Sequence, residues 1–120
     1  MRRAIMALAA LMLGAPTIAQ DSIFSAAETA EHWSNEPSRV GIVLYWGPNN
    51  ATTTHSVCSQ FVEAFRSRDI LARCFTQVTE SPGAALSFHI GPVERGPYSI
   101  PEAGERAAEI VRLSQARDKL

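Results

Sequence analysis

Alternation and clustering of apolar residues predict three strands in this chain. Residues 40–46 form the most apolar run after the N-terminal segment, are rich in β-branched and aromatic side chains, and lie between turn residues, so they are predicted to form a central strand. Apolar and polar residues then alternate over 70–79 and over 85–90, on either side of a turn. In the second strand, this alternation places Cys74 on one face and Phe75 on the other.

Three helices are predicted around these strands. Apolar residues at i, i+3, i+4 and i+7 predict a helix over 55–68, and they are Cys58, Phe61, Val62 and Phe65. A serine followed three residues later by a glutamate has the spacing of a capping box, and it occurs at the start of a short helix predicted over 25–33 and of a long helix predicted over 99–119. Residues 91–99 contain two prolines and two glycines and are predicted as a loop with room for a small hairpin.

The order of these elements predicts an α+β fold. A right-handed strand-helix-strand crossover makes the first two strands parallel, and the short turn at 80–84 makes the next pair antiparallel. The prediction is therefore a two-layer sandwich, in which a short N-terminal helix precedes β-α-β-β-α and helices pack on a mixed three-stranded sheet.

The N-terminal residues have the pattern of a secretory signal peptide. Arg2 and Arg3 are followed by an apolar run over 4–13 and by the small residues Thr17 and Ala19 near a cleavage position, which predicts a signal peptide over 1–19. The apolar run is shorter than the roughly 20 residues of a membrane span. We therefore expect a periplasmic or secreted mature protein with one small domain over 20–120, cleaved near Ala19, and no membrane span.

Charge and cysteine content narrow the functional classes. Without Arg2 and Arg3, the chain has nine basic and twelve acidic side chains, and the basic residues are scattered along the sequence. This distribution disfavours nucleic acid and anionic membranes as partners. Cys58 and Cys74 are the only cysteines of the chain. Because an exported protein folds in an oxidising compartment, we expect one structural disulfide between them. Their wide spacing is unlike a C-x-x-C redox motif, and they are too few for a zinc site. No cofactor fingerprint is present, and no metal or cofactor is expected.

One face of the predicted sheet is a candidate binding surface. Strand alternation gathers Tyr45, Arg73, Phe75 and His89 on the face opposite Cys74. Aromatic residues and arginine are enriched in protein interfaces. Three interpretations remain open: the N-terminal helix covers this face with Trp33 as its anchor, the face binds an envelope protein or a second copy in a homodimer, or it forms a catalytic cleft.

The loop after the first strand is a second candidate site. Asn49, Asn50 and His55 lie between the carboxyl end of that strand and the following helix, where α/β proteins often bind ligands and helix N–H groups attract anions. The segment over 47–55 contains one glycine and no lysine, so it does not match the sequence of a phosphate-binding loop. An ordinary loop with a helix cap explains the same residues, and a small-ligand site is the alternative.

The expected function is non-catalytic binding in the cell envelope. The alternative is a small hydrolase or transferase that uses His89 or His55 as a general base. Ser87 and His89 are two residues apart on one strand face, so their backbones are nearly 7 Å apart, which is poor geometry for a catalytic pair. An enzyme should show a concave pocket in which a histidine meets a carboxylate or hydroxyl from a distant segment, whereas a binding module should show an aromatic patch.

Overall fold

A computed structural model describes residues 25–47, 51–80 and 83–120, without the side chains of 51–54. Its elements in chain order are α1 (Ala26–Trp33), β1 (Arg39–Trp46), α2 (Ala51–Arg66), β2 (Leu71–Val78), β3 (Ala84–Ile90), β4 (Val93–Ser99) and α3 (Ile100–Asp118). The sheet order is β2-β1-β3-β4, with β1 parallel to β2 and the other two pairs antiparallel. The α+β class and the mixed sheet are confirmed. The predicted signal peptide lies outside the described residues.

The described sheet has four strands, so the prediction of three was wrong. The segment over 91–99, predicted as a loop, turns at Gly91 and returns along β3 as β4. Gly91 has φ +59°, which lets the chain reverse where a side chain would be strained. Gly96 and Pro97 obscured the strand in the sequence. The pairing of β3 with β4 accommodates these two residues through an irregular register. β4 is an edge strand, where the missing N–H of a proline is tolerated.

The order of the strands also differs from the simplest interpretation of the short turn. β3 runs antiparallel, as predicted, but it pairs with β1 and not with β2. Five residues separate Val78 from Ala84. At the start of this connection, the Thr79 N–H donates to the Trp46 carbonyl, at the end of β1, at 2.8 Å. Two strand spacings are about 10 Å, which five residues can span. The most apolar strand is therefore paired on both sides and is central, as its composition predicted.

The main core lies on one face of the sheet, between the strands and the helices α2 and α3. Phe88 of β3 lies near its middle, with its ring centroid 5.8 Å from Phe61, 5.7 Å from Phe65 and 6.4 Å from Tyr98. The strand residues of this core follow the predicted alternation and are Val40, Ile42, Leu44, Ala72, Leu86, Phe88 and Ile90. The alternation of apolar and polar residues in the sequence therefore identified the core face of the sheet correctly.

The predicted disulfide and helix caps are present. Cys58 of α2 and Cys74 of β2 are bonded, with their Cα atoms 5.8 Å apart. Ser25 and Glu28 form both hydrogen bonds of a capping box, and the Ser99 hydroxyl accepts from the Glu102 N–H at 3.3 Å. α2 begins at Ala51, four residues before the predicted start at residue 55. The prediction missed this first turn because it contains threonines, which have low helix propensity.

α1 packs on the opposite face of the sheet, as in the interpretation in which the N-terminal helix covers this face. The helix crosses β1 at Gly41, where an added Cβ would lie 2.7 Å from the Ala30 carbonyl oxygen. Ala30 is completely buried by this contact. A glycine on β1 thus lets α1 approach the strand closely enough to cover part of the face that carries the candidate binding residues.

The C-terminal end of α3 fixes the segment that follows α1. The Arg117 guanidinium donates to the carbonyls of Ser34 at 2.8 Å, Glu36 at 3.2 Å and Arg39 at 3.1 Å. The Asp118 carboxylate accepts from the Ser38 N–H at 3.0 Å. Burial alone would raise the pKa of Asp118, but hydrogen bonds from Ser38 and Arg117 together hold it below its ordinary value. The end of α1 is thereby held in a fixed position against the sheet.

Candidate functional site

A groove runs between α1 and β2, and we call it the α1–β2 groove. Its first part has a volume of about 540 Å³ and is lined by Ala26, Thr29, Cys74, Phe75, Thr76, Gln77 and Val78. Its second part has a volume of about 390 Å³ and is lined by Thr29, His32, Trp33, Asn35, Glu36, Arg39, Arg73 and Phe75. The two parts share Thr29 and Phe75, so they adjoin each other along β2.

Hydrogen bonds to strand residues position α1 as one wall of this groove. At the start of the helix, the Ala26 N–H donates to the Gln77 side chain at 3.2 Å, which satisfies one of the N–H groups that a helix leaves unpaired at its first turn. At the end of the helix, the Trp33 carbonyl accepts from Arg39 Nη1 at 3.1 Å. Both ends of α1 are therefore attached to the sheet, and the groove has a defined width.

Two arginines flank a pair of aromatic rings across the second part of the groove. The Arg39 guanidinium lies 4.8 Å from the centroid of the Trp33 ring, and the Trp33 ring meets Phe75 edge to face at 6.3 Å. The Arg73 guanidinium lies 5.4 Å from the centroid of the Phe75 ring. Each cation-π contact is worth about 0.5–1 kcal/mol at an exposed site. We call these four residues the Arg–aromatic ladder.

The ladder presents positive charge beside an apolar wall. Arg73 is exposed, and its contact within the described residues is the face of Phe75, so its N–H groups point to no carboxylate of the described chain. Arg39 uses one N–H on the Trp33 carbonyl. Glu36 is the acidic residue of the second part itself, where two arginines exceed one carboxylate. Glu28 and Glu31 line an adjoining depression on α1. A guanidinium binds carboxylates through paired N–H donors, and this end of the groove can therefore hold an acidic group.

A separate polar cluster lies further along the same face, on β3. His89 is only 4% exposed and Ser87 is completely buried. His89 Nε2 is 3.7 Å from a carboxylate oxygen of Glu94, which is beyond hydrogen-bond distance. Burial lowers the pKa of His89, and the carboxylates of Glu94 and Glu31 oppose this shift. Within the described part of the chain, neither His89 Nε2 nor the Ser87 hydroxyl forms a hydrogen bond.

Tyr45 belongs to this cluster and not to the groove. Burial raises the pKa of Tyr45, and the Glu94 carboxylate adds to the increase, while the Ser87 hydroxyl opposes it. Ser87 lies close enough for that influence, although the two hydroxyls do not meet hydrogen-bond geometry. Tyr45 is half-buried and His89 is covered. Because His89 is only 4% exposed, its ring offers a substrate little access in this structure.

The structure therefore divides the predicted binding residues. Arg73 and Phe75 lie together in the groove. Tyr45 of β1 and His89 of β3 lie together in the separate polar cluster that includes Ser87 and Glu94. His55 is exposed on α2, the helix that packs on the opposite face, so it joins neither group. The predicted ligand residues Asn49 and Asn50 lie outside the described residues.

Arg39 is a groove residue that the sequence analysis missed. The predicted first strand began at residue 40, one position too late to include it, whereas β1 begins at Arg39. The signal was present, because Arg39 and Gly41 are two residues apart and so share a strand face. Trp33 was considered only as an anchor that covers the face, and the structure shows that it also lines the groove.

Comparisons with known proteins do not assign this fold or site to a family. No protein-family model matches the chain, and neither the curated proteins nor the solved structures gave a match. Among the described residues, none of the helices combines the length and apolar character that crossing a membrane requires. The geometry of the groove is therefore the basis on which a function can be proposed.

Proposed function

We propose that this chain is an exported, disulfide-bonded domain of the cell envelope that acts without catalysis, by binding an acidic segment of a partner protein in the α1–β2 groove. The observation that carries the proposal is the Arg–aromatic ladder. It combines an exposed guanidinium with half-buried aromatic rings, and interface residues that contribute most to binding energy are commonly arginine and aromatic.

Export is supported by two independent features. The residues over 1–19 have the charged, apolar and small-residue regions of a signal peptide. The Cys58–Cys74 disulfide is a bond that persists in oxidising compartments. N-terminal sequencing of the protein from the envelope fraction should begin near Gln20, and a chain that still begins at Met1 would contradict export.

The dimensions of the groove favour a protein segment over a small molecule. It follows β2 from Arg73 to Val78, a distance of about 17 Å at the usual rise per strand residue. An extended peptide of several residues matches this length. The excess of acidic over basic side chains in residues 20–120 does not favour nucleic acid, whereas the local excess of arginine at one end favours an acidic group.

Selection from a displayed library of random peptides tests this proposal. The bait is the mature chain over 20–120 with its disulfide intact, compared with Arg73→Glu and with the matched control Arg112→Glu. Arg112 is exposed on α3, a helix that packs on the other face of the sheet. We expect the wild type and Arg112→Glu to enrich acidic peptides that Arg73→Glu does not bind. Equal enrichment by Arg73→Glu, or no enrichment by the wild type, would contradict the proposal.

A further inference from the structure

We infer that the partner segment binds in the α1–β2 groove as an added β-strand on the outer edge of β2, with an acidic side chain directed to Arg73. This inference rests on the proposed function, because it specifies how the same groove is occupied. It names the partner chemistry as an extended polypeptide with a carboxylate on the side that faces α1.

The backbone of β2 determines which of its groups face outward. The Leu71 N–H donates to the Ser38 carbonyl and the Thr79 N–H donates to the Trp46 carbonyl, both at 2.8 Å. The register between these points is unbroken, so the odd-numbered residues direct their N–H and C=O groups to β1. Cys74, Thr76 and Val78 therefore direct their backbone groups to the outer edge.

The two edges of the sheet differ in their protection. β4 contains Glu94, Arg95, Gly96 and Pro97 and an irregular register, which are features that discourage pairing with another strand. β2 contains no proline or glycine and a single charged residue, Arg73. Among the described residues, no strand pairs with the outer edge of β2. The edge of β2 is therefore the one suited to accept a strand.

The groove borders the edge on which an added strand would lie, because Cys74, Thr76 and Val78 are among its lining residues. Such a strand would run about 4.8 Å from β2, between that edge and the wall formed by Ala26 and Thr29 of α1. Its backbone would pair with the outward groups of β2, and every second side chain would face the α1 side. On that side the strand would meet Phe75 and, at the end of the groove, the Arg73 guanidinium.

Charge complementarity selects the occupant. An acidic segment brings a carboxylate to Arg73, which has no ion pair within the described residues. A second copy of this chain pairing through its own β2 would bring another arginine and no carboxylate, because β2 has no acidic residue. The partner is thus inferred to be an acidic segment of a different protein.

Amide hydrogen exchange measured by NMR tests strand addition. The probe is a synthetic peptide of alternating valine and glutamate, with blocked ends, added to the mature wild-type chain. We expect the amides of Cys74, Thr76 and Val78 to exchange at least about tenfold more slowly at saturation, since they become hydrogen-bonded. The amides of Phe75 and Gln77, already directed to β1, should not change. A peptide of alternating valine and lysine is the control and should bind at least about tenfold more weakly.

The outcomes separate this inference from the proposed function. Binding that depends on Arg73 but protects no alternating set of β2 amides overturns strand addition and leaves the proposed function standing. No binding at about millimolar peptide also overturns strand addition, and the display selection then decides the proposed function by itself. Alternating protection in the peptide-free protein, together with a dimer in sedimentation, would show that a second copy occupies the edge and would overturn the choice of partner.

Discussion

Replacement of Gly41 by alanine tests whether α1 is docked on the sheet as described. The new Cβ would lie 2.7 Å from the Ala30 carbonyl oxygen and 2.9 Å from the Ala30 Cβ. Ordinary contact begins at 3.4 Å, so the carbonyl must retreat by about 0.7 Å. Because hydrogen bonds to Gln77 and from Arg39 hold both ends of the helix, this movement strains the attachment of α1.

The magnitude follows from two opposing contributions. Overpacking of this kind costs about 1–3 kcal/mol. Alanine within a strand recovers about 0.5–1 kcal/mol, because glycine loses more backbone entropy on folding. The free energy of unfolding should therefore fall by about 1 kcal/mol at the midpoints of these ranges, and by up to about 2.5 kcal/mol, in Gly41→Ala. Peptide binding in the groove should also weaken, because the wall formed by α1 is displaced.

Urea denaturation of the oxidised mature chain measures this change, and Gly104→Ala is the matched control. Gly104 lies within α3, and an added Cβ there would meet no atom within 4 Å. Helix propensity predicts that this variant is more stable than the wild type by about 0.8–1 kcal/mol. If Gly41→Ala gains stability as Gly104→Ala does, the contact between α1 and Gly41 does not exist as described.

Three further predictions concern the disulfide, the buried histidine and the helix attachment. Replacing Cys58 and Cys74 with alanine should lower the free energy of unfolding by about 3 kcal/mol through loop entropy; an unchanged free energy of unfolding would contradict a structural role. Because burial lowers the pKa of His89 below 6.5, the unfolded chain takes up a proton first as pH falls, and stability should decline below about pH 6.5. His89→Gln should flatten that decline and the exposed control His55→Gln should not; a wild-type stability that is flat from about pH 7 to 5 would refute it. Arg117→Met removes hydrogen bonds to three carbonyls and should cost about 2–4 kcal/mol, a loss that calorimetry would detect and whose absence would show that the attachment is dispensable.

The elements that were predicted correctly are those that local physical chemistry determines. The apolar composition of β1, the alternation in β2 and β3 and the serine-glutamate spacings at Ser25 and Ser99 each depend on residues within one element. β4 was missed because Gly96 and Pro97 disfavour a strand in isolation. An edge strand with an irregular register tolerates them once β3 supplies a partner.

The sequence predicted the candidate site only in part, because its geometry depends on distant segments. Strand alternation placed Arg73 and Phe75 on one face correctly. Their separation from Tyr45 and His89 arises from the position of α1, which Gly41 permits and Arg117 fixes. A glycine within a strand and an arginine near a chain end indicate no such contact by themselves, so the groove emerged only from the tertiary structure.

The most direct measurement is a fluorescence titration of the valine-glutamate peptide against Trp46→Phe protein, in which Trp33 is the remaining tryptophan of the mature chain. Trp33 lines the groove beside Arg39 and Phe75, so occupation should change its emission with a saturable curve. We expect that adding Arg73→Glu weakens the affinity for the peptide at least about tenfold, while adding Arg112→Glu leaves that affinity unchanged. An absence of saturable change, or an affinity that is the same with and without the Arg73 guanidinium, would contradict binding of acidic segments in the α1–β2 groove.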